Sequence, residues 1–161
     1  MATVIEGRES GFKTNPDYKV LLEPSPRRVR VKFAGEWVAD STAAHLLFET
    51  RHLPVYYFPR ADVRMDQLTP TDHHTFCPYK GKARYYSVNA GGEVYPDIVW
   101  YYPEPIPECP KIKDLLAFYN EQVDEIRVDG VALPKPVTPW SKDWKDKAAT
   151  VPDSRGPVSR P

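Results

Sequence analysis

The hexapeptide Arg28-Val29-Arg30-Val31-Lys32-Phe33 alternates strictly between charged and apolar side chains. Successive side chains of a strand point to opposite faces. This run therefore buries Val29, Val31 and Phe33 and leaves Arg28, Arg30 and Lys32 to water. Proline reinforces the constraint. Eighteen of the 161 residues are proline, which removes a backbone donor and argues against long helices. A chain built this way is expected to be mainly β.

Other segments repeat the signal. Ala34-Gly35-Glu36 reads as a turn into a short strand, Trp37-Val38-Ala39. Leu46-Leu47-Phe48 and Val55-Tyr56-Tyr57-Phe58 read as strands, the second ended by Pro59. Ala83 to Val88 pairs with Val94 to Tyr102 across Asn89-Ala90-Gly91-Gly92, whose composition suits a tight hairpin. Glu125 to Val128 runs into a turn at Asp129-Gly130. One short helix is expected near 112 to 119, because Ile112, Leu115, Leu116 and Tyr119 fall at i, i+3, i+4 and i+7. Many short strands with regular turn signals predict a small antiparallel two-sheet domain from about residue 25 to 132. Residues 1–24 are expected to form a polar arm with little structure of its own. Residues 133–161 read as a Pro-rich tail whose composition cannot offset its ordering entropy. Within it Trp140 and Trp144 stand four apart, as anchors or as parts of a mobile tail.

Composition narrows the function. Lys plus Arg and Asp plus Glu both number 22, so no global charge draws the chain to nucleic acid or to an acidic membrane surface. Arg27, Arg28, Arg30 and Lys32 form a basic stripe, read as a solvated strand face. Two cysteines, Cys77 and Cys109, make no disulfide framework; one bridge between them is possible, but two free thiols in a reducing compartment is the simpler reading. The N-terminus has no apolar signal segment, and no run is long enough to cross a bilayer. The expectation is a cytoplasmic protein without membrane or nucleic-acid partner.

The candidate site lies in His74-Thr75-Phe76-Cys77-Pro78-Tyr79-Lys80-Gly81, with Arg60, Asp62, Arg64 and Asp66 upstream. A thiol becomes nucleophilic when nearby positive charge lowers its pKa. Cys77 has Lys80 three residues on and His73 and His74 upstream; alternatively it is a small, inert, buried residue. Arg60 presents a fork suited to carboxylate or phosphate and Lys80 a compact charge. The alternative for both is an internal salt bridge. Asp62 or His73 is the proton-transfer candidate, and Thr75 a polar contact. Adjacent His73 and His74 would point to opposite faces of a strand, and no zinc spacing is present, so no metal and no cofactor are expected. Tyr56 and Tyr57 cannot both face one core by alternation, nor can Tyr85 and Tyr86.

The succession Arg28-Val29-Arg30-Val31, Ala39-Asp40-Ser41, Val55 to Arg60, Asp62-Val63-Arg64, Thr75 to Gly81, Trp100-Tyr101-Tyr102-Pro103 and Ala117-Phe118-Tyr119 resembles the domain-of-unknown-function 427 family. The resemblance runs from about residue 25 to 132. Its most specific piece is Thr-x-Cys-Pro-x-Lys-Gly. It implies a stand-alone β-tent-like domain, in which two antiparallel sheets lean together. Many tents hold zinc through CxxC pairs; this chain has none, so the resemblance implies a metal-free tent. The family is sometimes labelled nucleotidyltransferase, but the sequence has no Gly-Ser followed by paired aspartates and no glycine-rich phosphate cradle.

Two functional readings follow. In the first, Arg60, Asp62, Thr75, Cys77 and Lys80 converge on one concave surface that binds a small, anionic molecule, with Asp62, His73 and Cys77 as candidate catalytic groups and Arg60, Thr75 and Lys80 as ligand contacts. In the second, the same residues form a structural network in a non-enzymatic binding or scaffold module. Whether the protein is an enzyme, and its oligomeric state, are left open by the sequence.

Overall fold

The computed structural model describes residues 4–5, 8–120 and 122–134. The expected tail, with Trp140 and Trp144, lies outside the described residues beyond 134. In chain order the strands are β1 (Val4–Ile5), β2 (Arg8–Glu9), β3 (Val20–Pro24), β4 (Val29–Phe33), β5 (Glu36–Ser41), β6 (His45–Glu49) and β7 (Val55–Tyr57). They continue as β8 (Leu68–Cys77), β9 (Gly81–Ala90), β10 (Glu93–Tyr101), β11 (Ala117–Phe118), β12 (Glu125–Val128) and β13 (Val131–Ala132). One short helix, α1 (Gly11–Thr14), is capped by Ser10, whose hydroxyl accepts from Phe12 N at 3.2 Å. The pairings between these strands are antiparallel.

Two layers result. One is the sheet β13-β12-β4-β5. The other joins β3-β6-β7 to β11-β10-β9-β8: Phe58 N donates to Leu116 O at 2.7 Å and Leu116 N to Phe58 O at 2.9 Å, carrying the ladder across. The alternation of β4 holds, with Val29, Val31 and Phe33 fully buried between the layers. Gly91-Gly92 turns β9 into β10 with both φ positive, 58° and 77°, as a type I′ hairpin requires.

Alternation in the larger layer feeds two cores, not one. Leu46, Phe48, Tyr56, Phe58, Val88 and Phe118 pack toward the second sheet. Leu47, Tyr57, Ala83, Tyr85, Tyr102 and Ala117 pack on the opposite face with Ile106, Cys109 and Ile112. Each adjacent tyrosine pair is thus split between faces, as strand geometry demands.

Two expectations are corrected. Residues 112–119 are not a helix. Pro110–Ile112 is a 3-10 turn, Asp114 takes a left-handed φ of 61°, and Ala117–Phe118 is an edge strand. The apolar spacing was real, since Ile112 and Leu116 are wholly buried, but it supplies two cores from an extended chain. Nor is the N-terminal segment a structureless arm: β3 pairs with β6 over five residues from Val20 to Pro24, and Tyr18 is buried.

Candidate functional site

The Thr75–Gly81 stretch is a hairpin. Cys77 ends β8, Gly81 begins β9, and Lys80 N closes the turn onto Cys77 O at 3.2 Å. Because β6 alternates, Glu49 points the same way as Leu47, into the second core, and there it meets the turn. The Lys80 ammonium donates to Glu49 Oε1, and the Tyr18 hydroxyl donates to Glu49 Oε2. Lys80 and Glu49 are each only 7% exposed. Burial penalises both charges, and the pair survives because each answers the other. Burial alone would raise the Glu49 carboxyl, but the charge and hydrogen bond of Lys80, with the Tyr18 hydroxyl, hold it below its ordinary value. Burial would likewise lower Lys80; Tyr57, Cys77 and Glu49 around it raise it instead. Burial pushes the Tyr57 hydroxyl up to about 12.

The N-terminal segment seals this centre. Tyr18 stacks on Tyr79 with centroids 3.7 Å apart, and Phe12 meets the same ring edge-on at 5.2 Å. Gly11 N donates to Pro78 O at 2.9 Å. Beside Tyr18 an open groove of about 510 Å³ is lined by Phe12, Lys13, Pro16, Lys19, Val20 and Glu108.

The opposite face of the same sheet carries a second cationic group. Arg60 enters through the 3-10 turn Arg60–Asp62. Its guanidinium lies 4.7 Å from the Tyr101 ring centroid and 5.6 Å from that of Tyr86, rings that stack on each other at 5.1 Å. Arg60 Nη1 donates to the Tyr86 hydroxyl at 3.0 Å, and Asp114 stands 4.0 Å off. A third of the Arg60 side chain remains exposed. Arg84 stands opposite Tyr101 on β10 and His74 on β8, so all three share this face with Tyr86. Arg84 is exposed and has no carboxylate partner among the described residues. Burial raises the Tyr101 hydroxyl, with Tyr86 adding to it and both Arg60 and Arg84 opposing.

The sequence candidates therefore do not all converge: Thr75, His73, Cys77 and Lys80 fall on the second-core face, while Arg60 and Asp62 do not. Thr75 stands opposite Ala83, on the second-core face, where its hydroxyl is 2.9 Å from that of Tyr85, itself 3.2 Å from that of Tyr119. His73 lies on this face too, 4.5 Å from the Tyr85 ring. Arg60 sits on the other side of the sheet. Asp62 accepts from the buried Ser41 hydroxyl at 2.6 Å, which pins the 3-10 turn to β5. Cys77 is half-buried against the second core. Asp62, held by Ser41, thus lies apart from His73 and Cys77, which share the second-core face. Arg64 and Asp66 form an exposed pair at 3.2 Å. Among the described residues no group of three or more His, Cys, Asp or Glu could hold a metal, and no helix is long and apolar enough to cross a membrane.

Sequence reasoning missed Glu49, Tyr18 and Arg84. Glu49 had a signal, an acid two residues beyond Leu47 on one strand face. Arg84 had one as well, its register with Tyr86. Tyr18 had none.

These features define a mainly antiparallel β domain with a sealed ion pair on one face of its larger layer and an open cation–aromatic cluster on the other. Residues 21–129 match the family model described as Domain of unknown function (DUF427). The match covers more than half of the chain, and the chain belongs to that family. Comparison with curated proteins gives no match.

Proposed function

We propose that this domain binds a small anion, a carboxylate or phosphate, on the face formed by Arg60, Arg84, Tyr86 and Tyr101, and that it does so as a non-catalytic binding module. The observation that carries the reading is the state of Arg60. Two tyrosine rings flank its guanidinium, which stays partly exposed, beside a second, exposed arginine that has no carboxylate partner among the described residues. Guanidinium forks match carboxylate and phosphate oxygens. Preorganising one of them on aromatic rings lowers the entropy lost on binding. Asp114, at 4.0 Å, is a rim competitor of the kind that contributes little. The tyrosine hydroxyls add donors that need no charge of their own.

Lys80 is excluded from the clamp because Glu49 already answers its charge. Thr75 is excluded because it lies across the sheet. Asp62, a proton-transfer candidate, is held by Ser41 away from His73 and Cys77, which favours binding over catalysis.

The test is titration of isotope-labelled protein with inorganic phosphate and with acetate, followed by amide chemical shifts. The reading expects saturable shifts at residues 60, 84–86 and 101, lost in Arg84→Ala with the remaining spectrum unchanged. Shifts that never saturate, or that persist unaltered in Arg84→Ala, contradict it.

A further inference from the structure

We propose that Cys77 and Cys109 form an oxidisable pair, which hydrogen peroxide closes to a disulfide that staples the Thr75–Gly81 hairpin to the 103–109 segment. Three stretches of backbone lie side by side here. Cys77 stands opposite Gly81 across the hairpin, Gly81 bridges Pro105 on its other side, and Ile106 N donates to Lys80 O at 3.0 Å. The middle position is the glycine. A Cβ there would meet Glu104 O at 3.3 Å and the backbone of Pro105 and Ile106 at 3.4 Å, and the φ of +123° is one that side chains rarely adopt. At Gly81 itself the middle strand therefore places no side chain between its neighbours. Beyond Pro105 the chain doubles back, with Cys109 N donating to Ile106 O at 2.9 Å. Cys109 is buried in the second core, and Cys77 packs against that same core from its edge. Both are free thiols.

Their environments divide the chemistry. Cys77 is half-buried and retains part of its exposure. Burial pushes the Cys109 thiol up to about 11, with Lys80 opposing and Cys77 adding, so Cys109 remains a thiol until a partner sulfur is activated. The Cys77 thiolate attacks peroxide, the O–O bond breaks, and Cys77 becomes a sulfenic acid as the first water forms. The Cys109 sulfur then attacks the Cys77 sulfur. The S–S bond forms, the S–O bond breaks, and the leaving hydroxide takes the Cys109 proton as a second water. Two thiols are oxidised and one peroxide reduced.

The full chain, freed of reductant, is treated with hydrogen peroxide. The expected product is a monomer lighter by two hydrogens, with both thiols lost to titration. Non-reducing digestion should yield the Cys77 peptide joined to the Cys109 peptide, and dithiothreitol should restore both thiols. Cys109→Ser, checked for the parent's circular dichroism, should instead hold Cys77 as a sulfenic acid that dimedone traps. A parent protein that keeps both thiols, or oxidises Cys77 while Cys109 still titrates, or forms only intermolecular bridges, overturns the proposal.

Discussion

Lys80 and Arg84 stand four residues apart on one hairpin, yet they belong to opposite kinds of environment. Lys80 turns into the second core, where Glu49 and Tyr18 complete it. Arg84 turns to the other face, beside Arg60 and two stacked tyrosines, and meets water. A buried ammonium without a partner costs too much to persist, so the fold had to supply Glu49. An exposed guanidinium carries no such debt and stays ready for an incoming anion. A cation's place in a sequence motif thus says less about its role than which face its strand turns to the core.

The contrast can be broken most severely at Lys80. Lys80→Met strands Glu49 in the core and is expected to cost about 3–5 kcal/mol, by analogy with other broken buried pairs; urea unfolding would show it. Adding Glu49→Leu to that variant should recover most of the loss, because an apolar pair needs no desolvation. A double variant as unstable as the single one would mean that the loss comes from packing instead of charge.

Tyr18→Phe should cost less, about 1.5–3 kcal/mol, as for other hydrogen bonds to a charged group. It should also loosen the segment over Tyr79, seen as faster amide exchange at residues 10–18.

The pair also sets a pH dependence. The Glu49 carboxyl lies below its ordinary 4.5, so its contribution is full above that pH and is lost as pH falls through the folded value. Lys80 lies above its ordinary 10.5, so its contribution is full below that pH and is lost as pH rises through the folded value. Melting temperature against pH should sag at both ends in the parent and less in the Lys80→Met, Glu49→Leu double variant. Parallel curves would detach the pair from the pH response.

Arg84→Ala should have the smallest effect on stability, within about 0.5 kcal/mol, as for surface changes that break no buried contact. Its effect belongs to binding alone.

Much of the fold was legible because alternation is a local property. The strand at Val29–Phe33, the hairpin at Gly91-Gly92 and the splitting of Tyr56 from Tyr57 and Tyr85 from Tyr86 all follow from the two-residue period. The spacing of Ile112, Leu115, Leu116 and Tyr119 misled because a chain that feeds two cores while turning can imitate a helical period. Ile112 and Ala117 fill one core, and Leu116 and Phe118 the other. The Lys80 partner was not legible, since Glu49 is 31 residues away in sequence and Tyr18 a further 31. Nothing local encodes which strand end meets which turn. The site was sought where cations and a thiol are dense in sequence, whereas the sheet sorts those same residues onto two faces.

The most direct test of this sorting is a thermal melt of the parent, Lys80→Met and Arg84→Met, each with and without inorganic phosphate. The account predicts that Lys80→Met melts well below the parent but keeps its upward shift with phosphate, while Arg84→Met melts with the parent and loses the shift. The reverse pattern, an Arg84 variant that is unstable and a Lys80 variant that is stable but blind to phosphate, would contradict it.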